Sequence, residues 1–123
     1  MQAVNTHRAP AAIGPYSQGV LNNSILFVSG QLGIDPGTGE MPAGFTEQAN
    51  LVFSNLKAIL EAAGMGFPHI VKVTVFLKNM GNFAALNEIY ARNFSTPYPA
   101  REAIEVARLP KDGQIEISVI AMR

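Results

Sequence analysis

Residues 98–122 read YPAREAIEVARLPKDGQIEISVIAM, two alternating stretches joined by a turn. Across residues 101–106 a period of two places Arg101, Ala103 and Glu105 on one face of a strand and Glu102, Ile104 and Val106 on the other. From 114 to 121 the alternation is sharper. Ile115, Ile117, Val119 and Ala121 share one face, while Glu116, Ser118, Ile120 and Met122 take the other. Leu109-Pro110-Lys111-Asp112-Gly113 connects them, and Asp-Gly is a strong turn signal, so the strands are expected as hairpin neighbours with Arg101 and Glu116 in one region. A solvated face with an ordinary ion pair, worth little, accounts for the same pattern.

Working back from that stretch, residues 46–63 predict a helix. Thr46 stands at the N-cap and Glu47 in the first turn. Ala49, Val52, Phe53, Leu56, Ile59, Leu60 and Ala63 form its apolar stripe, and Gly64 supplies the stop. Residues 70–77 predict a strand with Val71, Val73, Val75 and Leu77 toward the helices. Its other face, Ile70, Lys72, Thr74 and Phe76, is too apolar for full solvation and suits a second protein surface. Residues 82–94 predict a second helix, N-capped by Asn82, with a stripe of Phe83, Leu86, Ile89, Tyr90 and Phe94. Asn87 lies one turn beyond Phe83, either as a satisfied structural amide or as one that positions a ligand.

The amino-terminal third predicts a short edge strand at 3–5, a strand at 16–20, a turn at 21–24 and a clearer strand at 25–29 that Gly30 ends. The order β-β-β-α-β-α-β-β suits a two-layer α+β domain, a mixed sheet with two helices on one face. The opposite face is then left for assembly.

The totals restrict the function. A chain of 123 residues suits one domain spanning 1–123. Nine basic and nine acidic residues cancel without forming runs, so an electrostatic surface for nucleic acid has no support. A charged fraction of 15% falls below the usual share of about a quarter, which points to surface covered by partner subunits. Cysteine is absent, which excludes disulfides and a thiolate nucleophile, and His7 and His69 fit no metal motif. No metal site is expected. The start resembles no signal peptide and no apolar run reaches spanning length, so a soluble cytoplasmic protein without membrane association is expected. Residues 35–40 are turn-rich but lack phosphate-loop spacing.

The runs Ala9-Pro10-Ala11-Ala12-Ile13-Gly14-Pro15-Tyr16-Ser17-Gln18 and Val28-Ser29-Gly30-Gln31 resemble the amino-terminal signature of the Rid family, also called the YjgF or reactive-intermediate-deaminase family. Pro99-Ala100-Arg101, Glu105-Val106-Ala107-Arg108-Leu109-Pro110-Lys111 and Ile115-Glu116-Ile117 are similar to its second signature. The similarity covers essentially the whole chain. It implies a chorismate-mutase-like α+β fold assembled as a homotrimer, with sheets packed inward and clefts between subunits. It also implies cofactor-free hydrolysis of enamines and 2-imino acids, 2-iminopropanoate and 2-iminobutanoate among them, to 2-oxo acids and ammonia.

The resemblance puts the family arginine on Arg101, as a clamp for the substrate carboxylate, and the family glutamate on Glu116, to orient or activate water. Tyr16, Ser29 and Asn87 fall on cleft-lining positions, and the Gly30 N–H is a further carboxylate donor. Many members carry cysteine where this chain has Ala103, which removes any thiol role but keeps a backbone carbonyl to hold water. Ser118 stands where some members repeat an acidic residue. A noncatalytic trimer that binds small carboxylates or a protein partner is the alternative, and an endoribonuclease or translation inhibitor a weaker one.

Overall fold

The computed structural model describes residues 1–123. It contains β1 (Gln2–Val4), β2 (Gly19–Asn22), β3 (Ile25–Leu32), α1 (Phe45–Ala62), β4 (Ile70–Leu77), α2 (Phe83–Asn93), β5 (Ala100–Glu105) and β6 (Ile115–Met122). All six strands join one mixed sheet in the order β1-β2-β3-β6-β4-β5. Only β4 and β5 run parallel; every other neighbouring pair is antiparallel. The element order and the α+β class match the sequence reading. No helix is long and apolar enough to cross a membrane.

The helices cover one face of the sheet. Val52, Leu56, Ile59 and Leu60 of α1 are fully buried, as are Leu26, Val73, Val75, Ile115 and Ile117 from the strands beneath. Leu86, Ile89 and Tyr90 of α2 are buried beside them, and Phe53 meets Tyr90 edge-on at 6.3 Å. Gly64 stops α1 as expected. At φ 73° it adopts the left-handed conformation, its N–H donates to Glu61 O, and Met65 N–H donates to Leu60 O, closing a Schellman motif.

Several local expectations need correction. The strands flanking the Asp-Gly turn are not hairpin neighbours, because β4 lies between β5 and β6. The connection instead folds as a 3₁₀ turn, Pro110–Asp112, with Lys111 and Asp112 both at positive φ. Residues 16–20 do not form a strand from Tyr16, since β2 begins at Gly19. Thr46 is not the N-cap: Gly44 is, and its carbonyl accepts from Gln48 N–H. Asn82 caps α2 without a side-chain bond, whereas Asn79 accepts from Gly81 N–H one turn earlier.

Two irregularities override strict alternation. Gly30 does not end its strand: β3 continues to Leu32 through a bulge, where Val28 pairs Val119 but Gln31 pairs Ile117. The extra residue turns Gln31 into the core and leaves Gly30 exposed. A second irregularity between Ile70 and Lys72 buries Ile70 and exposes Val71, the reverse of the expected assignment. Beyond it, Val73, Val75 and Leu77 are buried as expected.

The face away from the helices carries Phe27, Ile104 and Met122, each close to half exposed, together with Phe76 and Ile120. An apolar strip of this kind across a sheet is a surface suited to covering by another protein.

Candidate functional site

The predicted residues gather at two places. On the first, Arg101 of β5 pairs with Val73 of β4 and so lies on the helix-covered face, beneath α2. Phe83, Asn87 and Tyr90 recur at spacings that align them along α2. All three meet Arg101. Its Nη1 donates to Asn87 Oδ1 at 2.8 Å. The guanidinium carbon lies 4.7 Å from the centre of the Tyr90 ring and 5.4 Å from that of Phe83. No carboxylate lies within ion-pair distance of Arg101, so its charge is held by aromatic faces and an amide rather than neutralised. A cavity of about 430 Å³ opens here, lined by Asn87, Tyr90, Ala91, Tyr98, Pro99 and Arg101.

Tyr90 belongs to an aromatic cluster with Phe53, Phe67 and Phe94, its ring centre 4.4 Å from that of Phe94. Its hydroxyl is buried without a hydrogen-bond partner. Burial pushes the phenol above its ordinary pKa, and the Arg101 charge pulls in the opposite direction. Ala103 follows Arg101 on the same face and packs against the core. Because β5 pairs only with β4, it is an edge strand with backbone groups open on its outer side.

On the second, Glu116 stands in the middle of β6 between the fully buried Ile115 and Ile117, so its side chain takes the opposite, open face. It pairs with Phe76 on one side and Leu32 on the other. Its carboxyl packs over Gly30: a Cβ there would come within 2.8 Å of both Cδ and Oε2. Burial of this half-buried group raises its pKa above the usual carboxylate value. Tyr16 and Gly30 line a cavity of about 490 Å³ with Ile13, Leu32, Ile34 and Lys111. Ser29 Oγ donates to Ser17 O at 2.6 Å, which leaves its hydroxyl oxygen only as an acceptor for anything else.

Within one chain the fold therefore joins Arg101 with Asn87, and Glu116 with Gly30, but it does not join Arg101 with Glu116. Sequence reasoning placed Phe83 and Tyr90 in the core stripe and missed their contact with the guanidinium. Their spacing around Asn87 was the available signal. It also missed Gln18, buried at 3% exposure, which fixes the segment before Tyr16. Gln18 Oε1 accepts from Thr6 N–H at 2.8 Å, and Nε2 donates to Pro10 O at 2.8 Å. No periodicity marks such a residue.

The family model described as endoribonuclease L-PSP matches residues 6–123. The chain is 46% identical over 121 residues to the 2-iminobutanoate/2-iminopropanoate deaminase of Capra hircus, covering 98% of this chain and 88% of the relative. It is 48% identical over 125 residues to the Escherichia coli protein of the same name, covering 99% and 98%. Among solved structures, RidA from the Antarctic bacterium Psychrobacter sp. aligns over all of both chains at 49% identity with a TM-score of 0.97. Escherichia coli TdcF with bound serine aligns over 100% of this chain and 99% of its own at 46% identity, with a TM-score of 0.95. A match running from residue 6 to the last residue, with relatives nearly half identical throughout, establishes that the chain belongs to the Rid (YjgF-type) family, whose model carries the endoribonuclease L-PSP description.

Proposed function

We propose that this protein hydrolyses reactive 2-imino acids, and the enamines with which they exchange, to 2-oxo acids and ammonia. It acts in the cytoplasm as a homotrimer whose sites lie between subunits. The observation that carries the reading is the Arg101 guanidinium, fixed at a cavity with no carboxylate to neutralise it. It occurs in a chain nearly half identical, over its full length, to relatives named 2-iminobutanoate/2-iminopropanoate deaminase. A planar guanidinium with one N–H committed to Asn87 retains donors for a bidentate grip on a substrate carboxylate.

Glu116 from a second copy faces the imine carbon and accepts a proton as water adds. The resulting tetrahedral adduct collapses when that proton passes to nitrogen: the C–N bond breaks and ammonia leaves. The adduct's hydroxyl proton returns to the Glu116 carboxylate and passes on to ammonia or solvent, and the carbonyl of the 2-oxo acid forms. A raised pKa suits both halves of this exchange, since the carboxyl takes and returns a proton nearer neutrality. The Gly30 N–H donates to the carboxylate or to the developing oxyanion, and Tyr16 closes the same cavity. Ser29 accepts from water or from the imine N–H, because its own proton is engaged by Ser17 O. The Ala103 carbonyl, on the edge strand, holds water. The reaction proceeds with no metal, covalent nucleophile or cofactor, since a protonated imine is already electrophilic and orientation supplies much of the acceleration.

The test is to generate 2-aminoacrylate and 2-aminocrotonate with a dehydratase and to follow imine loss with and without this protein. Faster loss supports the reading, and no acceleration at substantial protein concentration overturns it. The separation of Arg101 from Glu116 within one chain, and the relative solved with serine bound, favour one second reading: a trimer that binds small carboxylates without turning them over. Binding of 2-oxobutanoate without imine turnover would select it. Nine basic and nine acidic residues offer no charged surface for RNA, despite the family model's description.

A further inference from the structure

We infer that Tyr90 is a positioning residue for Arg101: the face of its ring fixes the guanidinium so that the unbonded donors are presented together at the cavity. The inference rests on Arg101 being the carboxylate anchor. An arginine side chain has four rotatable bonds, and a single hydrogen bond, Nη1 to Asn87 Oδ1, leaves rotation about that contact free. A ring face packed against the guanidinium restricts it. Tyr90 is the closer of the two rings, 4.7 Å against 5.4 Å for Phe83.

Tyr90 is also the better fixed. It is 6% exposed and stacked near Phe94 at 4.4 Å, with Phe53 at its edge at 6.3 Å, whereas Phe83 is only partly buried. The aromatic cluster thus extends from the core to the guanidinium and ends there. No ionic partner supplies an alternative restraint. The buried hydroxyl, which finds no partner, contributes nothing that a phenyl ring lacks in this role.

The test reads Arg101 itself. In the full-length protein with ¹⁵N-labelled arginine, Nε relaxation reports the order of the side chain, with Arg101→Lys identifying its signal. Tyr90→Leu is expected to make the Arg101 signal mobile and to weaken binding of 2-oxobutanoate roughly tenfold, the scale of a contact of this kind when desolvated. Tyr90→Phe, which keeps the ring, is expected to keep the order. In an Arg101→Ala background, Tyr90→Leu should add no further loss of binding, a non-additivity that a purely structural role would not produce. Equal order in wild type and Tyr90→Leu overturns the inference, as does loss of order in Tyr90→Phe, a variant that folds even if Tyr90→Leu does not. The relaxation measurement needs no turnover, so failure of this inference and failure of the deaminase reading are separately visible.

Discussion

Arg101 and Glu116 stand on opposite faces of one sheet, with β4 running between their strands. Arg101 shares the face of Val73, which is fully buried under the helices, and its guanidinium rests against α2. Glu116 alternates with the buried Ile115 and Ile117, and its carboxyl rests over Gly30. On the proposed reading, a substrate gripped by the first and hydrated by the second draws them from different copies of the chain.

Complementation follows from that arrangement. Arg101→Ala and Glu116→Gln, each inactive alone, should regain activity when co-expressed and purified as mixed trimers. With random mixing in equal amounts, about a quarter of sites pair an intact arginine with an intact glutamate from the neighbouring copy. Activity near that fraction of wild type is the expected result. No recovery in verified mixed trimers would place both residues in the same half of a site.

Arg101→Ala should lower kcat/KM by roughly 100-fold or more, since two charge-assisted hydrogen bonds contribute about 1.5–3 kcal/mol each. Arg101→Lys should lose most of the same activity, because a point charge cannot reproduce the planar fork. Arg101→Ala should also melt somewhat lower, since it gives up the Asn87 hydrogen bond and the contacts with the Tyr90 and Phe83 rings, whereas Arg101→Lys, which keeps the charge over the rings, should melt closer to wild type. Steady-state kinetics and a melting curve on the same preparations check both statements.

Glu116 gives a pH dependence whose sign is fixed. Burial raises its pKa in the folded chain, so the folded state holds the proton at pH values where the unfolded chain has released it. Stability from this group is complete below the unfolded value and declines as pH rises through the folded one. Glu116→Gln should therefore be more stable than wild type at neutral pH and should lack that part of the decline, as read from melting temperatures between acidic and neutral pH. In the wild-type protein the acid limb of kcat/KM should lie above the ordinary carboxylate value.

Two glycines separate activity from stability. Gly30→Ala brings a methyl group within 2.8 Å of the Glu116 carboxyl, a movable group, so the carboxylate is displaced with little loss of stability. A fall of about tenfold in kcat is expected, the scale of misplacing one general base. Gly33→Ala brings the same group within 2.5 Å of Gln48 O and 2.6 Å of Gln48 Cα, backbone that α1 holds in place. That substitution should destabilise by roughly 1–3 kcal/mol or more. Kinetics and denaturant titration on the pair distinguish the two effects.

The faces of β6 were legible in the sequence because Ile115, Ile117 and Val119 repeat with the period of a strand, and α1 was legible because its stripe repeats with that of a helix. The Gly64 stop was legible for a related reason, as a left-handed residue at a helix end is a local requirement that glycine meets. The neighbour of β5 was not. Strand order depends on which apolar faces bury most against one another, and a turn signal between 109 and 113 reports chain direction without reporting pairing. The bulge at Gly30 was equally hidden, since the extra residue arises from register against β6, a partner more than eighty positions away.

The sequence by itself determined the element types, the helix-facing side of the strand from Val73 to Leu77, the family, and the residue types able to clamp a carboxylate and move a proton. These follow from periodicities and motifs carried by neighbouring residues. Only the tertiary structure decided that Arg101 lies under α2 against Tyr90 while Glu116 lies over Gly30 on the other face. That outcome depends on β4 entering between β5 and β6, which sets side chains from distant segments together or apart by packing rather than by any local rule.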